Sequence, residues 1–227
     1  MSKNVDLKTD AIVLRRTNVG EADRVINLLT PGGKITVSAK SVRREKSRLA
    51  GGIEMFCLSR VGVHQSQKSG RNILTSAKMV KFYKNILGDI ERLELASEIL
   101  RQVSRAAEGI DDPGYFDLVR QCFEALDNKS PTNVISAWFL LNFARLKGEQ
   151  VNLIADVEGE RLRSDENYAW DSTEMALRRF PAGKISSNEI KAMRLMLSSS
   201  LELALRVKNI EALTPEILYI AKSLNQL

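Results

Sequence analysis

Residues 34–52, KITVSAKSVRREKSRLAGG, decide the fold of the first part of this chain. The apolar residues Ile35, Val37 and Ala39 alternate with polar ones, which predicts a strand with one apolar face. A loop follows, and the stretch as a whole holds six cationic residues against one acid, Glu45. Such a cluster on a small β scaffold is typical of phosphate-binding surfaces, so we predict contact with nucleic acid. A solvated loop without specific function is the alternative.

Short strands surround this stretch on both sides. Turn residues such as Pro31-Gly32-Gly33 separate them. The segments with strand patterning are 11–17, 24–29, 34–40, 53–63 and 72–80. Five short strands within about 75 residues predict a small closed barrel of the OB-fold type, and an SH3-like barrel fits nearly as well.

The apolar period becomes helical after about residue 83. Helices are predicted from the apolar spacing over 93–107, over 115–126, after the Ser130-Pro131 cap as far as Gly148, after the Ser186/Glu189 capping box, and from Thr214-Pro215. Most of 149–185 is predicted to be irregular, with a short helix near 173–180. The expected class is therefore α+β, with an OB-fold domain at 1–82 and an all-helical domain at 83–227 that contains this irregular insertion.

The charge of the chain is distributed unevenly. Residues 1–82 carry 16 Lys and Arg against 6 Asp and Glu, a net of +10, whereas residues 83–227 carry 18 and 22, a net of −4. The first part should attract polyanions and the second should not, except through local patches. The two cysteines, Cys57 and Cys122, are too few for a disulfide framework or a cysteine zinc site. No apolar run is long enough to cross a membrane and no signal peptide opens the chain, so we expect a cytoplasmic protein.

Catalytic motifs are not found. The sequence around Gly33-Lys34 resembles a phosphate loop, but Leu28 stands where that motif needs glycine and Ile35 where it needs Ser or Thr. The single histidine, His64, has no partner cysteine, and Asp23 is expected to support its turn or to pair with Arg24. We therefore predict no enzyme activity, no cofactor and no metal.

The predicted contacts with nucleic acid are electrostatic. Lys and Arg neutralise phosphates and release counterions, which gives affinity without sequence readout. Stacking is weakly supported, because Phe56 and Phe82 are the only aromatic residues up to residue 82 and Phe56 lies in an apolar run. The candidate contacts are Arg15, Arg16, Arg24, Lys34, Lys40, Arg43, Arg44, Lys46 and Arg48.

The order and spacing of several motifs resemble the RecO family of DNA-repair recombination mediators. The resemblance is carried by Gly20-Glu21-Ala22-Asp23-Arg24 together with Lys46-Ser47-Arg48-Leu49 about 20 residues later, and by Ala11–Arg15, Leu28–Thr30, Gly33-Lys34, Ala39-Lys40 and Phe56. It implies binding of single- and double-stranded DNA, strand annealing, and partnership with RecR and with the single-stranded-DNA-binding protein. The implied outcome is loading of RecA, which is an indirect partner, at the bacterial nucleoid. The helical remainder fits the family by period and length more than by motif.

One departure from the family concerns zinc. Many members carry a four-cysteine zinc module in the region that matches 150–185 here, and this chain has no cysteine there. The resemblance thus implies a zinc-free variant in which packing of Tyr168 and Trp170 holds the segment, or in which the segment is mobile.

The family's recognition of an acidic protein tail requires an apolar pocket with a cationic rim. The candidate rim residues are Arg178, Arg179, Lys191 and Arg194. Two other function classes remain open: a generic OB-type module that binds RNA or DNA without annealing it, and a structural adaptor whose basic face meets an acidic protein.

Overall fold

The computed structural model describes residues 5–66, 70–109, 112–149 and 151–225. These residues form two compact units, Met1–Asp127 and Asn128–Leu227. The first unit contains β1 (Val5–Val19), β2 (Asp23–Thr30), β3 (Gly33–Ala39), β4 (Cys57–Ser66), β5 (Arg71–Phe82), α1 (Ile90–Ala106) and α2 (Pro113–Asp127). The second contains α3 (Thr132–Leu146), β6 (Tyr168–Asp171), β7 (Ala176–Arg179), α4 (Ser187–Ser198), α5 (Leu201–Leu205) and α6 (Ile210–Ser223).

The five strands of the first unit close into a barrel in the order β1-β2-β3-β5-β4, which confirms the predicted five-stranded architecture. β1 is long enough to pair with β2 over one half and with β4 over the other. The closure is made where β3 meets β5 in parallel at Ser38 and Ile73. The chain is therefore of the α+β class, with the barrel first and the helical region after it.

Alternation along the strands fills the barrel. Its core consists of buried apolar side chains from every strand and from the loop after β3: Ala11, Val13, Ile26, Leu28, Val37, Ala39, Val42, Ile53, Val61, Val63 and Leu74. Burial of such side chains is the main stabilising contribution to a small barrel.

The fourth strand begins later than the sequence predicts. β4 begins at Cys57, and the chain before it forms a 3₁₀ turn at Ala50–Gly52 and then a bend with Phe56 at φ 57°. Ile53 enters the barrel core, and Gly52 lies directly against the backbone of Ala77. The apolar residues Ile53, Met55 and Phe56 therefore belong to the closed end of the barrel and not to a paired strand.

Two helices complete the first unit. α1 contacts β1, and α2 contacts β2 and β3. An aromatic cluster joins α2 to the barrel, with the ring centroid of Phe123 5.8 Å from that of Phe56 and 5.5 Å from that of Tyr83. The predicted OB-fold domain ends at residue 82, which is the end of β5. The compact unit also contains α1 and α2 and extends to Asp127.

The second unit is helical, with α3 packed against α6 and α4. The capping box of α4 forms as predicted, with the Ser186 hydroxyl accepting from the Asn188 N–H at 3.1 Å and Glu189 accepting from the Ser186 N–H at 2.8 Å. α3 begins at Thr132 with Pro131 as its N-cap, one residue later than predicted. Pro131 has an extended ψ of 122°, so it precedes the first turn instead of lying within it.

The short helix predicted near 173–180 is wrong, because this segment forms the hairpin of β6 and β7. The Asp171 carboxylate accepts the N–H groups of Thr173 and Glu174 at 3.0 and 3.1 Å, and Met175 has φ 51°. Both features specify a turn. Tyr168 and Leu177 are fully buried from the two strands, so tertiary packing fixes the hairpin.

The last helix begins one turn before the predicted Thr214-Pro215 start. α6 begins at Ile210, and Pro215 lies inside it. The buried Thr214 hydroxyl donates to the Ile210 carbonyl at 2.8 Å, and burial of Ile210 itself holds the added turn.

Within the predicted irregular insertion, Tyr168 and Trp170 both have polar partners. The Tyr168 hydroxyl accepts from the Arg163 N–H at 2.8 Å, and the Trp170 indole donates to Ser223 Oγ at 3.0 Å. No helix among the described residues is long and apolar enough to span a membrane.

Candidate nucleic-acid interface

The basic loop between β3 and β4 is anchored to the barrel. Val42 is buried in the core, and the Arg43 N–H donates to the Ala22 carbonyl at 2.9 Å. The Ser41 N–H donates to the Asp23 carboxylate at 2.7 Å. The loop therefore lies beside the β1–β2 turn and is organised before any ligand binds, which lowers the entropy lost on binding.

Four of the predicted contact residues have exposed side chains without a hydrogen bond or ion pair to another described residue. These are Arg15 on β1 and Arg44, Lys46 and Arg48 on the loop. Cations of this kind are available to neutralise phosphates without first losing an internal partner.

Four other predicted contacts have local partners. Arg16 pairs with Glu54 at 2.7 Å, and Lys40 pairs with Asp23 at 2.9 Å. Arg24 donates from Nε to Asn18 Oδ1 at 3.0 Å, and Arg43 donates from Nη1 to the Gly20 carbonyl at 3.0 Å. The Arg24 and Arg43 bonds go to neutral groups, so both cations keep their full charge at this end of the barrel. The expected pairing of Asp23 with Arg24 is wrong, since Lys40 holds that carboxylate.

Lys34 differs from the other candidates. Its side chain is only 8% exposed, and its ammonium donates to the Ser104 carbonyl at 2.9 Å and pairs with Glu108. Both partners lie at the end of α1. This placement favours a structural role that joins β3 to α1 over the predicted phosphate contact.

We expect Lys34→Gln to lower the free energy of unfolding by about 1–2 kcal/mol, because the charged hydrogen bond to the partly buried Ser104 carbonyl is lost. Affinity for single-stranded DNA should stay within about twofold, since only one screened charge changes. Chemical denaturation and fluorescence anisotropy measure the two effects. Lys8→Gln, an exposed change on β1, is the matched control; a large affinity loss in Lys34→Gln at unchanged stability would restore the contact role.

Asp23 is the electrostatic support of the loop. Its pKa is held below the ordinary 3.8, first by the Ser41 N–H and then by the Lys40 ammonium. A lowered folded-state pKa means that the carboxylate stabilises the fold above pH 3.8 and that this contribution is lost as the pH falls through the folded pKa.

Asp23→Asn should therefore be less stable than the wild type near neutral pH, and the difference should disappear in acid. The asparagine can still accept from Ser41 but cannot pair with Lys40. Thermal unfolding of both proteins across a pH series measures the difference, and a difference that persists unchanged at acid pH would contradict the assignment.

The outer face of the barrel next to the loop is polar. Arg15 pairs in register with Asn27, and Asn27 accepts from the Thr36 hydroxyl at 3.0 Å. Phe56 is buried, as the sequence predicts, whereas Phe82 on β5 is 40% exposed. Aromatic stacking therefore contributes little beside the loop, and charge dominates the candidate interface.

Three of the four candidate rim residues for an acidic tail have a local partner, and the fourth has none among the described residues. Arg178 pairs with Asp171 at 2.8 Å, and Arg179 pairs with Glu166. Arg194 donates to the Leu153 carbonyl at 2.5 Å. Lys191 is exposed on α4 and has no partner among the described side chains.

Lys191 lies on a groove of about 350 Å³ between α4 and the chain that leads into α6. Ala192, Leu195, Val207 and Leu213 form its apolar part, and Lys208 is a second cation at the rim. Lys208 could not be predicted from the sequence, because the loop that carries it shows no periodicity linking it to α4.

The described residues contain no group of three or more His, Cys, Asp or Glu side chains placed to hold a metal ion. His64 is partly exposed and lies 2.8 Å from Asp6 on the barrel surface. His64 and Asp6 lie outside the basic loop.

Comparison with known proteins supports the sequence resemblance over both units. The family model described as Recombination protein O N terminal matches residues 1–83, and that described as Recombination protein O C terminal matches residues 87–223. A DNA repair protein RecO from Dehalococcoides mccartyi is 32% identical over 155 residues, which are 67% of this chain and 60% of the relative. Proteins of the same name from Geobacter metallireducens and Desulfosudis oleivorans are 30% and 34% identical over 64% and 61% of this chain, and over 60% and 55% of their own lengths. The matches thus span about 60% of the length of the curated relatives.

Proposed function

Since the chain belongs to the RecO family, we propose that it is a DNA-binding recombination mediator that acts in DNA repair. Its ligands are single- and double-stranded DNA, and its action is to bring complementary single strands together. We propose RecR and the single-stranded-DNA-binding protein as partners, with RecA loading as the indirect outcome at the bacterial nucleoid. The mediator acts by binding, and no catalytic step is part of the proposal.

The observation that carries the proposal is the set of free cations on an anchored loop. Arg44, Lys46 and Arg48 are exposed and make no hydrogen bond or close ion pair with another described residue, while Val42 anchors the loop in the barrel core. Cations on an anchored loop bind the phosphate backbone of DNA whatever its base sequence. A mediator that must act on every damaged site needs this lack of sequence preference.

Annealing follows from the same electrostatics. Two complementary strands repel each other through their phosphates, and a basic surface that neutralises phosphates on both strands reduces this repulsion. Contacts to the backbone leave the base edges free to pair. Weak stacking beside the basic loop favours annealing, because bases held on aromatic rings there would have to be released before pairing.

Annealing kinetics of labelled complementary strands test the proposal. The wild type should accelerate annealing at low salt, and the acceleration should fall as salt rises. Strand annealing at the spontaneous rate with normal DNA binding would contradict the mediator role and leave a generic OB-type module. Binding to an acidic protein in place of DNA would favour a structural adaptor.

We propose that the groove on α4 is the site for an acidic, apolar-ended protein tail. Its apolar part can take the apolar end of a peptide, and Lys191 and Lys208 can pair with the carboxylates. Of the four rim residues predicted from sequence, this assignment keeps Lys191. Arg178, Arg179 and Arg194 are assigned to the local contacts that hold the hairpin and α4.

A fluorescent peptide with the last residues of the single-stranded-DNA-binding protein tests the groove. Lys191→Glu/Lys208→Glu should reduce peptide binding by about tenfold or more, because two attractive charges become repulsive. Lys129→Glu/Lys222→Glu makes the same net charge change elsewhere in this unit, at two exposed lysines, and should leave binding within about twofold. Equal loss in both variants would contradict the assignment.

A further inference from the structure

A second cationic feature of the first unit lies between β1 and α1. It is an open cleft of about 330 Å³. Leu14, Met55 and Leu100 form its apolar floor, and Arg15, Arg101 and Arg105 lie around it. Its volume is at the lower end of the range for sites that hold small organic groups.

The arginines of the cleft come from two elements. Arg101 and Arg105 are four residues apart on α1 and therefore lie on one face of the helix. Arg101 donates from Nε to Glu98 at 2.9 Å, and Arg105 interacts electrostatically with the same carboxylate. The Arg15 side chain makes no hydrogen bond or ion pair with another described residue. Three arginines against one glutamate give the cleft a positive potential.

Arg15 connects the cleft with the basic loop side of the barrel. It is exposed, and its register partner Asn27 belongs to the polar outer face that continues to Thr36 on β3. A polyanion bound along this face reaches Arg15 next to the cleft. The cleft therefore continues the candidate interface beyond Arg15.

The side chains suit one chemical class of ligand. The arginine guanidinium binds phosphate through two hydrogen bonds and also stacks on planar rings. The floor is apolar, and Met55 adds a flexible, polarisable thioether that packs well on ring faces. In a nucleotide, the planar base can pack on the apolar floor while the neighbouring phosphates bind the arginines of the rim. An acidic peptide could pair with the arginines, but only its aliphatic groups could contact the floor.

We propose that this cleft holds one nucleotide of a single strand, with its unstacked base on Leu14, Met55 and Leu100. The neighbouring phosphates bind Arg101 and Arg105, and Arg15 is shared with the outer barrel face. This inference rests on the proposed DNA-binding function and adds a site on α1 to it. A base in a duplex cannot reach the floor, so the cleft favours single strands.

Substitutions at the arginine rim and at the apolar floor should change DNA binding in different ways. Arg101→Gln/Arg105→Gln removes two phosphate contacts, so it should weaken binding of single-stranded DNA by about tenfold at moderate salt and lower the salt slope by about 1.4. Met55→Gln should leave the slope unchanged. It should instead abolish the preference for oligothymidylate over an oligomer of equal length whose sugars carry no bases.

Arg161→Gln/Arg206→Gln, a change of two exposed arginines in the second unit, is the matched control and should bind like the wild type. Cross-linking with an oligomer that contains 5-iodouracil gives an independent readout, since cross-links should map to peptides that carry Met55 or residues 97–105. Circular dichroism verifies that each variant is folded.

The possible results separate this inference from the proposed function. If the rim variant and its control bind equally while a variant of Arg44, Lys46 and Arg48 loses binding, the cleft is not part of the interface and the function stands. Cross-links that map only outside the cleft, or an equal affinity of the wild type for oligomers with and without bases, also overturn the inference. If the wild type binds no single-stranded DNA at low salt, the proposed function itself fails.

Discussion

Replacing Arg44, Lys46 and Arg48 together with glutamate should weaken binding of single-stranded DNA by about 3 kcal/mol at moderate salt, or about a hundredfold. This follows from roughly 1 kcal/mol for each lost phosphate contact. The three side chains are exposed and make no hydrogen bond or close ion pair with another described residue. Only Arg44 has a charged neighbour, because it interacts electrostatically with Asp23. The slope of log affinity against log salt should fall by about 2, at about 0.7 for each single-strand contact.

The control for this variant makes the same change of net charge elsewhere. Lys129, Arg161 and Lys222 are exposed in the second unit and make no side-chain hydrogen bond or ion pair with another described residue, and their replacement with glutamate should reduce DNA affinity by only a few fold through long-range charge. Fluorescence anisotropy across a salt series measures both proteins, and thermal unfolding verifies the fold. Equal losses in the two variants would show that net charge, and not the loop, determines binding.

Gly52→Ala should lower the free energy of unfolding by about 2–3 kcal/mol, the cost of forcing extra atoms into a well-packed site. A Cβ atom at Gly52 would lie 2.4 Å from the backbone carbonyl carbon of Ala77 and 2.5 Å from its oxygen. Both are backbone atoms of β5 and cannot rotate away. The 3₁₀ turn that closes the basic loop must therefore move, so DNA affinity should fall as well.

The adjacent glycine is the matched control. A Cβ atom at Gly51 has nothing within 4 Å, and the residue is exposed. Gly51→Ala should change the free energy of unfolding by less than about 0.5 kcal/mol. Denaturant titration of both variants measures the difference. Equal stability of the two proteins would contradict the close approach of Gly52 to β5.

The barrel could be predicted from the sequence because each strand buries one face. Ile35, Val37 and Ala39 alternate with polar residues, and turn residues separate the strands, so local pattern and tertiary structure agree. The capping box at Ser186 is equally local. These elements require no information from distant parts of the chain.

The elements that were predicted wrongly depend on distant contacts. Ile53 is apolar because it enters the barrel core, and β6–β7 forms because Tyr168 and Leu177 are buried. The turn at Asp171 and the left-handed Met175 have only weak signals in the sequence. Local propensity gives way to packing in such places.

The candidate site was predictable in its charge but not in its pairings. The sequence shows a cluster of cations, yet Lys34 finds Glu108 74 residues away and Lys40 finds Asp23 17 residues away. Arg101 and Arg105 lie on a helix outside the basic segment, so a count of charge along the chain does not connect them to Arg15. Which cations have structural partners depends on contacts between distant residues, so it could be read only from the three-dimensional structure.

Binding of the wild type to single-stranded DNA across a salt series, followed by fluorescence anisotropy, shows whether this surface is an electrostatic interface for DNA. We predict tight binding at about 50 mM salt and a linear fall of log affinity with log salt, with a slope between about −3 and −5 for the free cations and their neighbours. The same samples should accelerate annealing of complementary strands. No binding at low salt, or binding that does not depend on salt, would contradict the account of this surface as an electrostatic interface for DNA.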